Sequence, residues 1–423
     1  ATALLLGGCG GGGGSSYDTP DSTTKTAPVI GQTQNVLIDA ATLKSWVDAG
    51  LVNNTASYEK VVVLCFGGTY AAGHIPGAQL WANGGIDRYE GPVLSSNMAL
   101  DGETMDDLLQ AAGIDENTTI VFAGSGNPAR LYFIFRYWGF PKERLKILNG
   151  NQAAWTNAGY ALTTAVPTVT PSNFSVKNLS AFNPNVRASL DELIKAAETQ
   201  STFILNALTN NTEKAGATTG IFVGATDPDF VIFQGSIVGA KHVGNAVFYN
   251  ADGTIKTAAE VQAILEGYGI DSSKPIITYC RAGNAASNAF MPIDVTLGWP
   301  VMVYDGSWSQ WGSLTNQTGA AFVPDASYAL PAALSEWATD GLIEWHTLNN
   351  GDFAIPANQI PGPYYNVNFP KSIEKPTFRN LDSVLTPDSI DANSIENEDR
   401  EYFETPAAGG AVGGVTGGGG GGC

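Results

Sequence analysis

The strongest constraint on this chain is a pattern of apolar strands alternating with helices that occurs twice at a nearly fixed offset. The first pass contains KVVVLCF (60–66), TTIVFAG (118–124) and LKILNG (145–150). The second contains TFILNAL (202–208), KPIITYC (274–280) and VMVYDG (301–306). Each run is of strand length, continuous in apolar residues and closed by glycine, asparagine or a small residue. That is the signature of a strand buried on both faces. Helical spacing lies between them. NVLIDAATLKSWVDAG offers Asp39 as an N-cap and a face of Leu43, Trp46 and Val47. MDDLLQAAGI and PARLYFIFRYWGF follow, the second with Pro128 near its first turn. In the second pass, ASLDELIKAAETQ begins at the N-cap Ser189, AAEVQAILEGYGI is helical, and NAASNAFMPIDVTLGW opens as a helix. Asp39 and Ser189 are 150 residues apart, Ala123 and Cys280 157, Gly150 and Gly306 156, and Trp155 and Trp311 156. Near-constant offsets over so many elements imply duplication. The expected fold class is therefore α/β: two tandem domains, each a mainly parallel sheet with helices on both faces.

At 423 residues the chain exceeds what one core holds. Residues 1–34 are rich in Gly, Ser, Thr and Asp without periodicity and read as a tether. The first domain spans 35–165, and TTAVPTVTPSNF (163–174) links it to a second domain spanning 175–322. The second copy carries a long insertion near 210–235. An extension fills 323–423. Within it AALSEWATDGLIEW reads as an amphipathic helix and PANQIPGPYYNVNFPKSIEKP as an ordered loop wrapping the domains. IDANSIENEDREYFE reads as acidic, and GGAVGGVTGGGGGGC as flexible.

Charge excludes some partners. The formal net charge is −19, from 40 acidic against 21 basic residues. A nucleic-acid binder needs a basic face, and adsorption to an anionic membrane needs a polybasic patch. The four cysteines, Cys9, Cys65, Cys280 and Cys423, form no CxxC, and the three histidines, His74, His242 and His346, have no metal-ligand spacing. No metal and no cofactor is expected. No apolar run reaches the length of a membrane span.

The chemistry concentrates in ITYCRAGNAAS (277–287). Cys280 ends a parallel strand and precedes a helix, the end of an α/β sheet where ligands bind. Small residues let several backbone N–H groups converge there, and the helix adds its positive end. Such a cradle stabilises a thiolate, and Arg281 adds charge. The plainer alternative is a small buried hydrophobe at a strand end. IVFAGSGNPAR (120–130) has the same shape with Ala123 in place of the cysteine.

These residues resemble the two-domain rhodanese sulfurtransferases over about residues 35–320. CRAGNAAS is similar to that family's active-site loop. AAGHIPGAQLW (71–81) resembles its Gly-His-Ile-Pro-Gly-Ala signature, with GSIVGAKHV (235–243) as a weaker second copy. YDGSWSQW (304–311) resembles its closing signature, with LNGNQAAW (148–155) as partner. The resemblance implies a silent first domain, marked by Ala123, and a second domain whose Cys280 takes sulfur from a donor such as thiosulfate, holds it as a persulfide and passes it to a thiophile. It assigns substrate binding to Arg281, Ala282, Gly283, Asn284 and Ala285, and leaves Trp308 as a pocket wall. The partner would be a small sulfur-containing anion or a thiol.

The match is not complete. Ala282 stands where many members have a second basic residue, and ILNALTN lacks their Asp and Arg. Arg281 is then the one obvious cation, with Lys241 and His242 read as structural or surface groups. Ala286 stands where a cysteine phosphatase needs its oxyanion-gripping arginine, which sets that reading aside. Cys65 reads as core, His74 as a hydrogen-bonder in its turn, Trp311 as core, and Cys423 is undecided. LGGC (Leu6 to Cys9) within ATALLLGGCGGGGGSS resembles a lipoprotein cleavage site, which implies lipid on Cys9, attachment to a membrane and a place in the cell envelope. The tether and twin domains together resemble the ExtH-type rhodanese-like lipoproteins of cytochrome-conduit and selenite/tellurite-reduction systems. That layout implies either a selenium or tellurium oxyanion or a persulfide as substrate, or a non-enzymatic docking role in an envelope complex.

Overall fold

The computed structural model describes residues 35–57, 59–67, 69–81, 98–126, 128–208, 236–237, 239–311, 343–344 and 394–406. The tether with Cys9, the insertion near 210–235, most of the extension and Cys423 lie outside the described residues.

The first domain runs β1 (Leu37–Ile38), α1 (Ala40–Asp48), β2 (Lys60–Cys65), β3 (Gln79–Leu80), α2 (Gly102–Ala111), β4 (Thr118–Phe122), α3 (Ala129–Tyr137), β5 (Leu145–Leu148) and α4 (Asn151–Asn157). Its five strands are all parallel, in the order β1-β5-β4-β2-β3. The second domain runs α5 (Leu190–Thr199), β6 (Phe203–Asn206), β7 (Ser236–Ile237), β8 (Lys241–His242), α6 (Ala258–Gly267), β9 (Ile276–Tyr279), α7 (Asn284–Pro292), β10 (Val301–Val303) and α8 (Ser307–Trp311). Its parallel sheet has the order β10-β9-β6-β8. A parallel bridge from Arg187 to Val303 stands beside β10 as β1 stands beside β5. The two sheets thus share one topology, as the offsets require.

The apolar runs are buried strands because both faces are covered. Val62, Leu64, Ile120 and Phe122 face one core with Met105 and Leu109 of α2 and most of α3. Val61, Val63, Cys65 and Val121 face another with Leu43 and Trp46 of α1 and Trp155 of α4. The expected caps are present: Asp39 accepts from the Thr42 N–H at 2.7 Å, and Ser189 forms a capping box with Glu192. Two details refine what the sequence predicts and one departs from it. Pro128 is the N-cap of α3. The helix opening at Asn284 changes at Pro292 into a π turn over Ile293–Leu297. Ile343 and Glu344, expected in an amphipathic helix, form β11 and pair antiparallel with β7. The acidic stretch near the C-terminus is a docked helix, α9 (Ser394–Glu404).

The domains share a core. Every residue of α3 but Arg136 is buried, which a helix resting on one sheet alone cannot achieve. Its second face meets α7: Phe133 packs edge-on against Phe290, centroids 5.8 Å apart, and Tyr132 lies 6.2 Å from the same ring. At the rim of this contact Asp294 accepts from the Tyr132 hydroxyl at 2.6 Å and pairs with Lys142 at 2.8 Å and Arg136 at 3.6 Å. Burial, then the carboxylate, push the Tyr132 hydroxyl well above its ordinary pKa, so it stays a donor. One carboxylate of the second domain is held by three groups of the first. Replacing Asp294→Ala strands these donors and should lower the free energy of unfolding by about 3 kcal/mol. Urea titration followed by tryptophan fluorescence checks this, and the transition should broaden as the domains uncouple.

Candidate active site

Cys280 sits one residue past β9, at the carboxyl end of the second sheet. The chain must leave the strand and enter α7 within three residues. Gly283 makes this possible: it is the N-cap at φ 90, a conformation costly for any residue with a Cβ. The turn aims the Gly283 N–H at the Cys280 sulfur, 3.1 Å away. The sulfur therefore lies at the N-terminus of a nine-residue helix with a backbone donor on it.

A second turn fixes the cysteine from below. The Cys280 N–H donates to the Ser307 hydroxyl at 3.1 Å, and the Cys280 carbonyl accepts from the Trp308 N–H at 3.0 Å. Ser307 has one proton to give, and the Tyr304 carbonyl at 2.9 Å is much closer than the Cys280 sulfur at 3.9 Å. The hydroxyl thus orients the cysteine backbone, and Gly283 supplies the close donor to sulfur. Ser307 has φ 50, a left-handed conformation unusual for serine.

Cys280 is 3% exposed. Ala282 and Gly283 are buried with it, Arg281 and Ala285 are half-buried, and Asn284 is exposed. Trp308, read as a pocket wall, is fully buried like Trp311. Lys241 is exposed, and a His242 ring nitrogen lies 3.1 Å from the Leu208 carbonyl. His74 is fully buried with its ring nitrogens near the carbonyls of Tyr70 and Ala165 and its ring stacked on Tyr70.

Arg281 is the one obvious cation of the cysteine loop, and two further arginines are buried close to Asp305. Arg187 donates to Asp305 at 3.0 Å, both side chains wholly buried. Arg130, from the first domain, is 2% exposed. Burial pulls its guanidinium below the usual range, and the neighbouring Asp305 and Cys280 oppose that pull while Arg187 adds to it. Arg130 of the first domain and Arg187 at the entry to the second thus lie within electrostatic reach of each other and of Asp305. Ser307 was missed in the sequence. Its counterpart in the first copy, Asn151, 156 residues earlier, is also left-handed at φ 56.

The first copy shows a closed version of the loop. Ala123 is fully buried. A Cβ on Gly124 would lie 2.7 Å from the backbone of Phe66, and the Gly126 N–H donates to the Phe66 carbonyl at 2.9 Å. The loop has collapsed onto the neighbouring strand end, where the Cys65 thiol donates to the Ala123 carbonyl at 2.7 Å.

Comparison with known proteins agrees with this geometry. A model of the rhodanese-like domain matches residues 214–314, which contain the cysteine loop. The sulfur carrier protein TtuD of Thermus thermophilus is 32% identical over 259 residues, 58% of this chain and 84% of that protein. The chain belongs to the rhodanese-like sulfurtransferase family. The 3-mercaptopyruvate sulfurtransferase of Escherichia coli K12 is 27% identical over 248 residues, 58% of this chain and 82% of the relative. The crystal structure of SseA from Escherichia coli, described as a 3-mercaptopyruvate sulfotransferase with the rhodanese fold, superposes with a TM-score of 0.51 at 22% identity, covering 65% of this chain and 99% of that one. The fold of this rhodanese-like protein is therefore that of both tandem domains, and its family's chemistry is the transfer of sulfur.

Two outcomes follow for the cysteines. Ser307→Ala removes the acceptor of the buried Cys280 N–H and should cost about 1–3 kcal/mol of stability, measured by thermal unfolding. The Cys65 thiol is pushed by burial from 9.0 to about 12. Its folded pKa exceeds the unfolded one, so its contribution is complete below pH 9 and declines as pH rises toward 12. In urea titrations over that range Cys65→Ala should lose stability more slowly than the parent, by up to about 1.4 kcal/mol per pH unit.

Proposed function

We propose that Cys280 is the sulfur-carrying nucleophile and that the protein transfers sulfur through a persulfide on it. In the first half-reaction the Cys280 thiolate attacks the outer sulfur of a donor such as thiosulfate. A bond forms between the two sulfurs. The bond to the sulfonate sulfur breaks, and sulfite leaves with its electron pair. In the second half-reaction a thiophile such as cyanide attacks the terminal sulfur, thiocyanate leaves, and the electron pair returns to Cys280. No net oxidation is needed.

The observation that carries this reading is the Gly283 N–H, 3.1 Å from the Cys280 sulfur at the N-terminus of α7. A hydrogen bond to a charged acceptor is worth about 1.5–3 kcal/mol. It is available both to the thiolate and to the displaced anionic sulfur, so it favours the charged states at each step. Arg281, half-buried beside the cysteine, would attract an anionic donor, and the exposed Asn284 and half-buried Ala285 follow it in the loop. The fully buried Trp308 supports the loop through its backbone N–H on the Cys280 carbonyl.

The test is to incubate the full chain with thiosulfate, remove the excess and weigh the protein intact. The mass should rise by one sulfur atom, the gain should vanish on adding cyanide with formation of thiocyanate, and Cys280→Ser should show neither. An unchanged mass with thiosulfate, with 3-mercaptopyruvate and with a persulfide donor would overturn the reading. We also propose that Cys9 carries lipid and holds the protein in the cell envelope. The support is LGGC followed by a Gly/Ser tether, and mass spectrometry of protein extracted from membranes decides it.

A further inference from the structure

We propose that α9 is an intramolecular clasp that positions the turn beneath Cys280. The inference rests on Cys280 being the reactive thiol. It concerns a part of the chain beyond residue 314, where the match to the rhodanese-like domain ends.

The seat for α9 on the first domain is built for it. The Tyr402 hydroxyl donates to Asp106 at 2.7 Å, and the same carboxylate accepts from the Ser175 hydroxyl at 2.5 Å and the Val176 N–H at 2.7 Å. Asp399 is 1% exposed and accepts from the Tyr137 hydroxyl at 2.7 Å. A buried carboxylate on a surface-type acidic helix would be costly without such partners. The Tyr402 ring packs edge-on against Trp138, with the Lys177 ammonium 3.9 Å from its centroid. Gly102 makes room for it, since a Cβ there would fall 2.0 Å from the ring. β11, earlier in the same extension, is paired with β7 of the second domain, and the Ile237 N–H of β7 donates to the Tyr279 hydroxyl next to Cys280. The extension is therefore tied to both domains.

From the start of α9 a short series of contacts runs to the cysteine. Ile395 and Met98, 2% and 1% exposed, bury each other. The Met98 methyl lies against Gly306, 2.9 Å from where a Cβ would be. The next residue, Ala99, donates its N–H to Asp305 at 2.8 Å. Asp305 and Gly306 lead into Ser307, whose hydroxyl receives the Cys280 N–H. With α9 docked, Met98 is pressed onto the turn. With α9 released, Met98 faces solvent and the turn loses one wall. The left-handed Ser307 depends on such support, because the conformation is unfavourable unless its surroundings impose it.

Two point variants of the full chain test this. Gly102→Ala blocks the Tyr402 seat while leaving a better helix former in α2. Ile395→Ser removes the contact with Met98. For each, hydrogen exchange is followed in 394–404 and in 305–308, iodoacetamide modification of the Cys280 peptide is timed by mass spectrometry, and kcat and KM for sulfur transfer are measured. Energetic coupling through a packed series of this kind corresponds to roughly a 2- to 30-fold change. The expected result is faster exchange at 305–308, Cys280 modification accelerated within that range, and a fall in kcat larger than any change in KM. Conservative Ile395→Val should restore the parent rates. The proposal is overturned if both variants keep the parent's modification rate and its exchange at 305–308. Modification and exchange need no turnover. A parent that transfers no sulfur but shows these shifts defeats the function of Cys280 and not the clasp, and a parent that turns over without the shifts defeats the clasp alone.

Discussion

Much of the site depends on Asp305. Its carboxylate is wholly buried, with Arg187 at 3.0 Å on one oxygen and the Ala99 N–H at 2.8 Å on the other. Charges so deep in protein persist only when paired and hydrogen-bonded. Each partner belongs to a different part of the chain. Arg187 comes from the segment that enters the second domain and is bridged to Val303. Ala99 comes from the first domain. Asp305 itself opens the turn that carries Ser307. Apolar packing of the same volume could stabilise the fold as well. What the ion pair adds is a single acceptable placement for three segments at once, because a small slip leaves a buried charge exposed to nothing.

Duplication explains how two copies of one fold came to different ends without a change in topology. In the second copy Gly283, at φ 90, turns its N–H toward the Cys280 sulfur. In the first copy Gly124 and Gly126 let the loop fall onto Phe66 instead, and a backbone hydrogen bond closes it. Glycine serves both outcomes. The difference lies in what the loop must accommodate: a thiol and its charge in one, a buried methyl group in the other. Cys65 confirms the contrast. Its thiol gives its proton to a carbonyl and is held neutral by burial, the reverse of what a nucleophile requires.

The fold was largely legible because its strands are continuous apolar runs and its helices have caps and glycine stops. Asp39, Ser189 and the strand from Lys60 each lie where the residues alone place them. Cys280 and its small-residue loop were legible for the same local reason. Arg130, Arg187 and Asp305 were not. Their meeting depends on the docking of two domains, and no periodicity in either copy encodes which charges come together across that contact. Ser307 was hidden differently, since its role follows from a backbone conformation. Ile343 and Glu344 were misread because apolar spacing in a short segment fits a helix face as well as an edge strand, and pairing with β7 decided between them. The helical content of SIENEDREYFE was obscured by its charge, although its apolar residues Ile395, Tyr402 and Phe403 recur at positions a docked helix can bury.

The first domain is not a passenger. Helix α3 is buried all round, so the first domain alone would expose Tyr132 and Phe133, and the second alone would expose Phe290. Each large side chain costs about 1.5–3 kcal/mol to return to water, a substantial share of the stability of a typical domain. Separation would also remove Ala99 from Asp305 and Arg130 from the neighbourhood of Cys280. The first copy therefore supplies a hydrogen bond to the turn that carries Ser307.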